Sequence, residues 1–402
     1  MTRHHLDAVI IGGGIAGLWL LNRLCNRGYN AILLENRALG SHQTVASQGM
    51  IHGGIKYTLS GALTGASEAI ADMPDHWRAC LRGEGDVDIS AARILSDHFY
   101  LWSTANLRSR LGGFLASKAT RGRVEKVARD ELPPIFANRE FRGSLYRLVD
   151  MVMDTPSLLR ALADNYRERI FATDGCHCRW RSAADGTQTL AITRGAASFE
   201  LETGAFVFTA GRGNGELLAA VAATAPAMQI RPLHQVMVHH RHPHPFYGHC
   251  VTTDTTPRLT ISSHPMADGS QVWYLGGTLA EKGVGQTPDE LIASARRELD
   301  ALMPWVDLRD ARWATLAVDR AEPRQRNLVR PDQAFAAWAS GPANVIAAWP
   351  TKLTLTPNLA QTVEDLLTAR GIQASEATAP ELALPSPPIS PSPWQEAFAR
   401  AS

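Results

Sequence analysis

The sequence predicts an α/β chain. Three observations lead there. A strand–glycine–helix–strand unit fills the first 35 residues, and a second strand–glycine–helix junction falls near residue 210. A third apolar strand runs into a helix near residue 350. Between these places lie stretches with strand-like character rather than further strand–helix repeats. The outcome is a discontinuous Rossmann-like nucleotide-binding domain with a β-rich lobe inserted into it, α/β in its core and α+β over the whole chain.

Ala8-Val9-Ile10-Ile11 is short, apolar and β-branched, which reads as a buried strand. Gly12, Gly14 and Gly17 follow with the Gly-x-Gly-x-x-Gly spacing, with Ile15 and Ala16 between the last two. Leu18 to Leu24 carries a helical pattern that stops at Gly28, a natural C-cap. A second strand, Ala31 to Leu34, ends in Glu35, 23 positions beyond Gly12. Gly12 permits the tight turn, Gly14 leaves room for a pyrophosphate, and Gly17 lets helix and strand pack closely. The helix N-terminus offers free N–H groups to phosphates. Glu35 accepts ribose hydroxyls. A ligand-free turn would account for the glycines but not for the acid at the second strand end.

The length of 402 residues suits two domains or one large unit with an inserted lobe. With 45% hydrophobic and 20% charged residues and a formal charge of +1, no global field favours nucleic acid or an anionic membrane. Five scattered cysteines read as reduced thiols, and the expected compartment is the cytoplasm. The apolar run over residues 8–21 resembles a signal-peptide core, but its three consecutive glycines and Asp7 argue against that. It is also too short to span a bilayer, so no transmembrane segment is expected.

Residues 36–47 read as a polar loop. The following Ser47-Gln48-Gly49-Met50-Ile51-His52-Gly53-Gly54 crowds small residues around one histidine, as backbone does when it passes something flat and bulky. Residues 62–82 carry a helical stripe of Leu63, Ala66, Ile70, Met73 and Trp77, with Pro74 as an expected kink. Short strands are expected at 92–95 and 99–102, and a basic helix over about 106–127 reads as a solvated face. Asp154-Thr155-Pro156-Ser157 signals a helix start. Asp185-Gly186 marks a hairpin turn. The strand Ala205 to Thr209 ends in Ala210-Gly211-Arg212-Gly213, with a helix over 216–223. Strands follow between 229 and 280, and Thr287 caps a helix over 288–302. Strands at 312–320 and 343–349 precede a helix over 358–370. The last stretch, with five prolines between 385 and 393, reads as an extended tail that Trp394 and Phe398 dock locally. The expected division is 1–90, 151–215 and 326–375 for the cofactor domain, 91–150 and 216–325 for the substrate lobe, and 376–402 for the tail.

At these residues the chain resembles the D-amino-acid oxidase / glycine oxidase superfamily of FAD enzymes. Residues 7–35, the turn Thr209 to Gly213, and Asn344 to Thr354 with the helix from Asn358 carry the likeness. Ile51-His52-Gly53-Gly54-Ile55-Lys56-Tyr57 looks like the matching segment of FAD-linked glycerol-3-phosphate and L-2-hydroxyglutarate dehydrogenases. The family usually has glycines where this chain has Trp349-Pro350-Thr351-Lys352. The resemblance implies FAD. The glycine fingerprint alone fits NAD as well, but completion by segments at 209–213 and 350–354 suits an extended flavin. The expected cofactor contacts are Gly12, Gly14, Ile15, Ala16, Gly17, Glu35, Asn36, Ser47, Gln48, Gly49, Gly53, Ala210, Gly211, Thr351, Lys352, Leu353 and Thr354.

Flavin chemistry on this scaffold removes a hydride from a carbon bearing OH or NH, and the protein orients and tunes. His52 is the candidate base or flavin neighbour, and Lys352 the cation that balances charge on reduction. Arg320, with Arg258 and Arg324, is the candidate for gripping an acidic substrate, since a guanidinium matches a carboxylate bidentately. Tyr57, Tyr274 and His234 are secondary candidates. Six histidines between 234 and 249, and Cys176-His177-Cys178, lack ligand spacing, so no metal is expected. The expected partners are a small substrate and an electron acceptor, oxygen, quinone or another. Two rival readings are a flavoenzyme acting on a modified amine, including one on tRNA, and a flavin-binding redox sensor without turnover.

Overall fold

The computed structural model describes residues 2–54, 70–104, 124–252, 256–328, 331 and 333–399. Tyr57, the first part of the helix expected over 62–82 and most of the basic stretch at 106–127 lie outside them. From the amino end, β1 (Thr2–Ile11), α1 (Ile15–Asn26) and β2 (Ala31–Glu35) form the expected opening unit, followed by β3 (Met50–Ile51) and α2 (Met73–Leu81). Next come β4 (Ile94–Ser96), β5 (Phe99–Ser103), β6 (Val124–Lys126), β7 (Ser144–Leu148) and β8 (Met151–Met153), then α3 (Thr155–Asn165) and β9 (Ile170–Ala172). A meander of β10 (His177–Ser182), β11 (Gln188–Arg194) and β12 (Ala197–Phe208) leads to α4 (Asn214–Ala220). Then run β13 (Met228–His240), β14 (Gly248–Cys250), β15 (Leu259–Pro265), β16 (Gln271–Gly276), α5 (Thr278–Lys282), α6 (Pro288–Leu302) and β17 (Arg312–Pro323). The chain closes with β18 (Phe335–Trp338), β19 (Val345–Trp349), α7 (Thr356–Ala369) and α8 (Pro393–Ala399).

The first sheet is ordered β10-β11-β12-β1-β2-β9, and β19 also pairs with β12 and carries β18 on its far side. Its centre is parallel: β1 lies between β12 and β2, and β19 runs parallel to the end of β12. Ala8, Val9 and Ile10 are fully buried, as expected of a parallel strand covered on both faces. On one face α1, α3 and α7 pack around Leu18, Trp19, Leu158, Leu162, Leu359 and Val363. The second sheet runs β17-β13-β16-β15-β14-β5-β7-β6, antiparallel except for β14 against β5. One face packs on α6 through Leu291, Ala295 and Leu299 against Val236, Trp273 and Leu275. The opposite face holds Met237, Val272 and Tyr274. A three-stranded sheet, β3-β8-β4, stands beside these two.

Local signals explain several elements. Asp154 accepts the Ser157 N–H and caps α3. Thr287 and Glu290 form a full capping box on α6. The helical run at 70–71 breaks at Asp72, just ahead of Pro74, and a new helix begins at Met73; residues 62–69 of the expected helix lie outside the described residues. Pro74 stands in the first turn of α2, where its missing N–H has no intrahelical partner to lose. The strand expected at 92–95 begins two residues later, at Ile94. The helix expected over 216–223 starts at Asn214 and ends at Ala220.

The tail is extended to Ser392, as its prolines require, and it is tied down. Ala172 donates to the Pro385 carbonyl at 2.7 Å, and Leu39 to the Pro388 carbonyl at 2.7 Å. Ser390 in turn donates to the Leu39 carbonyl at 3.0 Å. Trp394 and Phe398 of α8 then bury themselves on the second sheet with Met237 and Tyr274.

Candidate functional site

β1, β2, β12 and β19 run parallel, so their carboxyl ends share one edge of the sheet, the edge where α/β folds take ligands in a crevice. Gly12 has φ +115°, and a Cβ there would lie 2.5 Å from the Ala210 backbone. A Cβ on Gly17 would lie 2.0 Å from the Gly12 carbonyl oxygen. Both glycines are therefore required by close approach of main chain. Gly14 is the N-cap of α1, with no side-chain cap and no acid in the first turn. That leaves a positive helix end facing the crevice, suited to an anionic diphosphate. Thr44, from the loop after β2, accepts the Ile15 N–H at 3.2 Å. Ala16 is buried in the same first turn.

Glu35 is 8% exposed at the end of β2. Its Oε2 accepts the Gly13 N–H at 2.6 Å and its Oε1 the Arg37 N–H at 2.8 Å. The carboxylate is thus fixed at the crevice, and each oxygen keeps a further lone pair for a ribose hydroxyl. Asn36 beside it is exposed.

The second junction locks onto the first. Thr209 Oγ1 donates to the Gly12 carbonyl at 2.9 Å. Asn214, fully buried, accepts the Ala210 N–H and donates to the carbonyls of Phe208 and Ala348. Trp349 spends its indole N–H on the Gly211 carbonyl at 3.2 Å. Thr209 belongs to the turn that carries the family likeness, but Asn214 was not among the expected residues, and its bond to Ala348 lies 134 residues away.

The third segment supplies an observation that the missing glycines foreshadowed. Thr351, a β-branched residue, has φ +59°. The Lys352 N–H turns back onto the Pro350 carbonyl at 2.6 Å, and Thr351 Oγ1 donates to Gln333 at 3.0 Å. The left-handed turn that glycines would give is taken by Thr351 under strain. Lys352 is 6% exposed, Leu353 half-buried and Thr354 fully buried.

The 47–54 stretch comes to the same corner. The His52 N–H donates to Thr354 Oγ1 at 3.0 Å, across 302 residues. The Gly53 N–H donates to Asp150 Oδ1 at 2.9 Å. Gly49 has φ +71°, and a Cβ there would lie 2.2 Å from the Met153 carbonyl. Ser47 Oγ accepts the Gly49 N–H at 3.4 Å. Gln48 donates to the Tyr274 carbonyl at 2.8 Å and to Ser262 at 3.4 Å, which joins this loop to the second sheet. His52 and Lys352 are thus brought into one neighbourhood, both nearly buried.

The arginines divide. Arg258 is paired with Glu298 of α6 at 2.7 Å, and Arg324 is exposed. Arg320 lies on β17 opposite Arg231, whose guanidinium grips the buried Glu322 with two bonds. The Arg320 Nε donates to the Arg231 carbonyl at 3.2 Å, while its strand neighbours meet other segments: Asp319 pairs with Arg212, and the Ala321 N–H donates to Gln43. Tyr274 bonds to Ala46 and Gln235, and His234 to Gly283.

The histidines of 239–249 act locally. Nδ1 of His240 accepts the His242 N–H, and Nδ1 of His242 the His244 N–H. His239 and His240 point to opposite faces, against Phe398 and Trp273. Among the described residues, His76, Cys80 and Asp86 are the group whose donor atoms lie within 4.8 Å of each other. Asp86 is already engaged by His76 at 2.7 Å, Cys80 at 3.3 Å and Arg23 at 2.6 Å, and burial raises the Cys80 thiol to about 12. That geometry describes a closed hydrogen-bonded seam between α1 and α2.

The comparisons with known proteins give the family and the fold. The family profile of FAD dependent oxidoreductases (DAO) matches residues 7–347. A curated protein of Pseudomonas aeruginosa, named as a probable FAD-dependent oxidoreductase, is 47% identical over 395 residues, 98% of each chain. The crystal structure of an FAD dependent oxidoreductase from the same organism superimposes with a TM-score of 0.84 at 41% identity, covering 99% of both chains. L-α-glycerophosphate oxidase from Mycoplasma pneumoniae, solved with FAD bound, has the same fold, with a TM-score of 0.67 at 15% identity over 91% of this chain and 95% of that one. No helix among the described residues is long and apolar enough to cross a membrane. FAD is the cofactor that the glycine turn, Glu35 and the two later segments fit, and the chain belongs to the DAO family of FAD-dependent oxidoreductases.

Proposed function

We propose that this oxidoreductase removes a hydride from a CH–OH or CH–NH carbon of a small acidic substrate, a 2-hydroxy acid or an amino acid. The observation that carries the proposal is the corner where His52 is bonded to Thr354, two residues from Lys352, both side chains nearly buried beside the crevice. FAD, when bound, supplies the two-electron acceptor. His52 takes the proton from the substrate hydroxyl or amine, with its backbone held by Thr354 and the next residue by Asp150. Lys352 lends positive charge to a water-poor corner, where it counts for more than in bulk solvent. Arg320 grips the substrate carboxylate. Oxygen, a quinone or another acceptor then takes up the electrons.

Anaerobic mixing of the yellow protein with hydroxy acids and amino acids tests this. Bleaching of the flavin by a member of either class is the expected result. Bleaching only by unrelated donors, such as thiols, rejects the substrate class. No bleaching by any donor, with dithionite reduction changing partner binding, would favour a redox sensor. Salt-dependent retention of tRNA would favour an amine carried on RNA.

A further inference from the structure

The loop over 36–49 runs from Glu35 to β3 and on to His52. It is held to the glycine turn by Gly40, which donates to the Gly13 carbonyl at 2.8 Å, and by Thr44 on the Ile15 N–H. The C-terminal tail braces the same loop at both ends. Near its start, Leu39 exchanges main-chain bonds with Pro388 and Ser390, a parallel bridge to Ile389. The Leu39 side chain lies where a Cβ on Gly13 would sit, 2.5 Å from it. Near its end, the brace passes through the second sheet. The Trp394 ring stacks on His264 with centroids 3.9 Å apart and planes at 25°. His264 Nε2 bonds to Ser262 Oγ at 3.0 Å, and Ser262 Oγ accepts from Gln48 at 3.4 Å. Trp394 also lies against Tyr274, 5.9 Å between rings, and Tyr274 bonds to Ala46.

We propose that Trp394 is a positioning residue for FAD: through His264, Ser262 and Gln48 it sets the loop that leads to His52. A side chain more than 340 residues from Gln48 in sequence thereby tunes how tightly the cofactor is held. The inference takes FAD binding as given and adds a control on it. Burial alone would make Trp394 a core residue, but the chain of contacts ends on Gln48 in the loop between Glu35 and His52, a residue that the proposed cofactor contacts include. Ser262 and His264 share the face of β15 that carries this chain, as alternate residues of a strand do.

The test uses the full chain and FAD titrated into apoprotein, followed by flavin fluorescence, with the apoprotein melting temperature measured alongside. Trp394→Ala is expected to raise the FAD Kd at least fivefold and to shift the flavin absorption band. Trp394→Phe, which keeps a ring on His264, restores affinity to within twofold. Ser262→Ala breaks the middle of the chain without touching the tail, so it answers the same question if Trp394→Ala does not fold. It is expected to weaken FAD at least threefold. Combining Trp394→Ala or Ser262→Ala with Gln48→Ala leaves the affinity within twofold of Gln48→Ala alone, because all act on one path. A lowered melting temperature with unchanged Kd and spectrum would make Trp394 a packing residue only and overturn the proposal. So would additive losses in the double variants. A wild-type protein that refuses FAD would instead fail the cofactor assignment, which is a different result.

Discussion

At the scale of single residues, the turn between β1 and α1 and the end of β2 hold positions where a change of one or two atoms is decisive. Gly12→Ala forces a Cβ to within 2.5 Å of the Ala210 backbone at φ +115°. It is expected to cost about 2 kcal/mol or more of stability, and to abolish flavin retention, read as loss of yellow colour after gel filtration. Glu35→Gln is subtler. The carboxylate accepts two backbone N–H groups, one on each oxygen. An amide can accept only one and presents NH₂ to the other. The expected loss is about 1–3 kcal/mol in FAD affinity, checked by titrating apoprotein. Both residues were legible in the sequence because the signal is local: glycine spacing and an acid at a strand end. Thr351 was legible only as a departure from glycine. Its positive φ is a property of the turn that β19 and α7 impose on it.

At the scale of elements, the crevice holds together because separate strands are stapled by buried polar side chains. Asn214 ties the ends of β12 and β19 to the turn that follows β12. Asn214→Ala leaves two carbonyls and one N–H buried without that partner. It is expected to destabilise by about 2–4 kcal/mol in urea unfolding and to loosen FAD with it. Asp86 plays a similar part at the far end of α1, where Arg23 reaches Asp86 on one side and Glu364 of α7 on the other. His76 and Arg23 hold the Asp86 carboxyl below the usual range against the opposing effect of burial. A carboxyl with a lowered folded-state pKa contributes stability above its unfolded value, and that contribution falls away as pH drops through the folded value. Asp86→Asn is therefore expected to cost about 2–4 kcal/mol at pH 7, and progressively less as pH falls below about 4, in urea midpoints. The helices and strands themselves were largely readable from period and caps. The staples were not, since asparagine in a glycine-rich turn reads as an ordinary turn residue.

At the scale of the whole molecule, the second sheet carries two histidines that folding keeps neutral. Burial pushes His264 down to about 3, and burial with the nearby His242 and His239 pushes His240 down to about 4. The unfolded chain takes up these protons near pH 6.5 and the native chain does not. The stability they favour is complete above pH 6.5 and shrinks as pH falls toward 4, on the order of 3 kcal/mol for His240. Urea midpoints are expected to fall between pH 7 and pH 5, and His240→Asn to flatten that slope. By itself, the sequence determined the α/β class, the opening strand–glycine–helix–strand unit ending in Glu35, and the two later strand-to-helix junctions. Each of those is written in neighbouring residues, whose period, caps and spacing act over one or two turns of chain. Only the tertiary structure decided which distant groups meet there. It put His52 on Thr354, Asn214 on Ala348, the proline-rich tail on Leu39, and Trp394 on the histidine behind Gln48. Such pairings depend on strand order and lobe packing, and no local pattern encodes a partner hundreds of residues away.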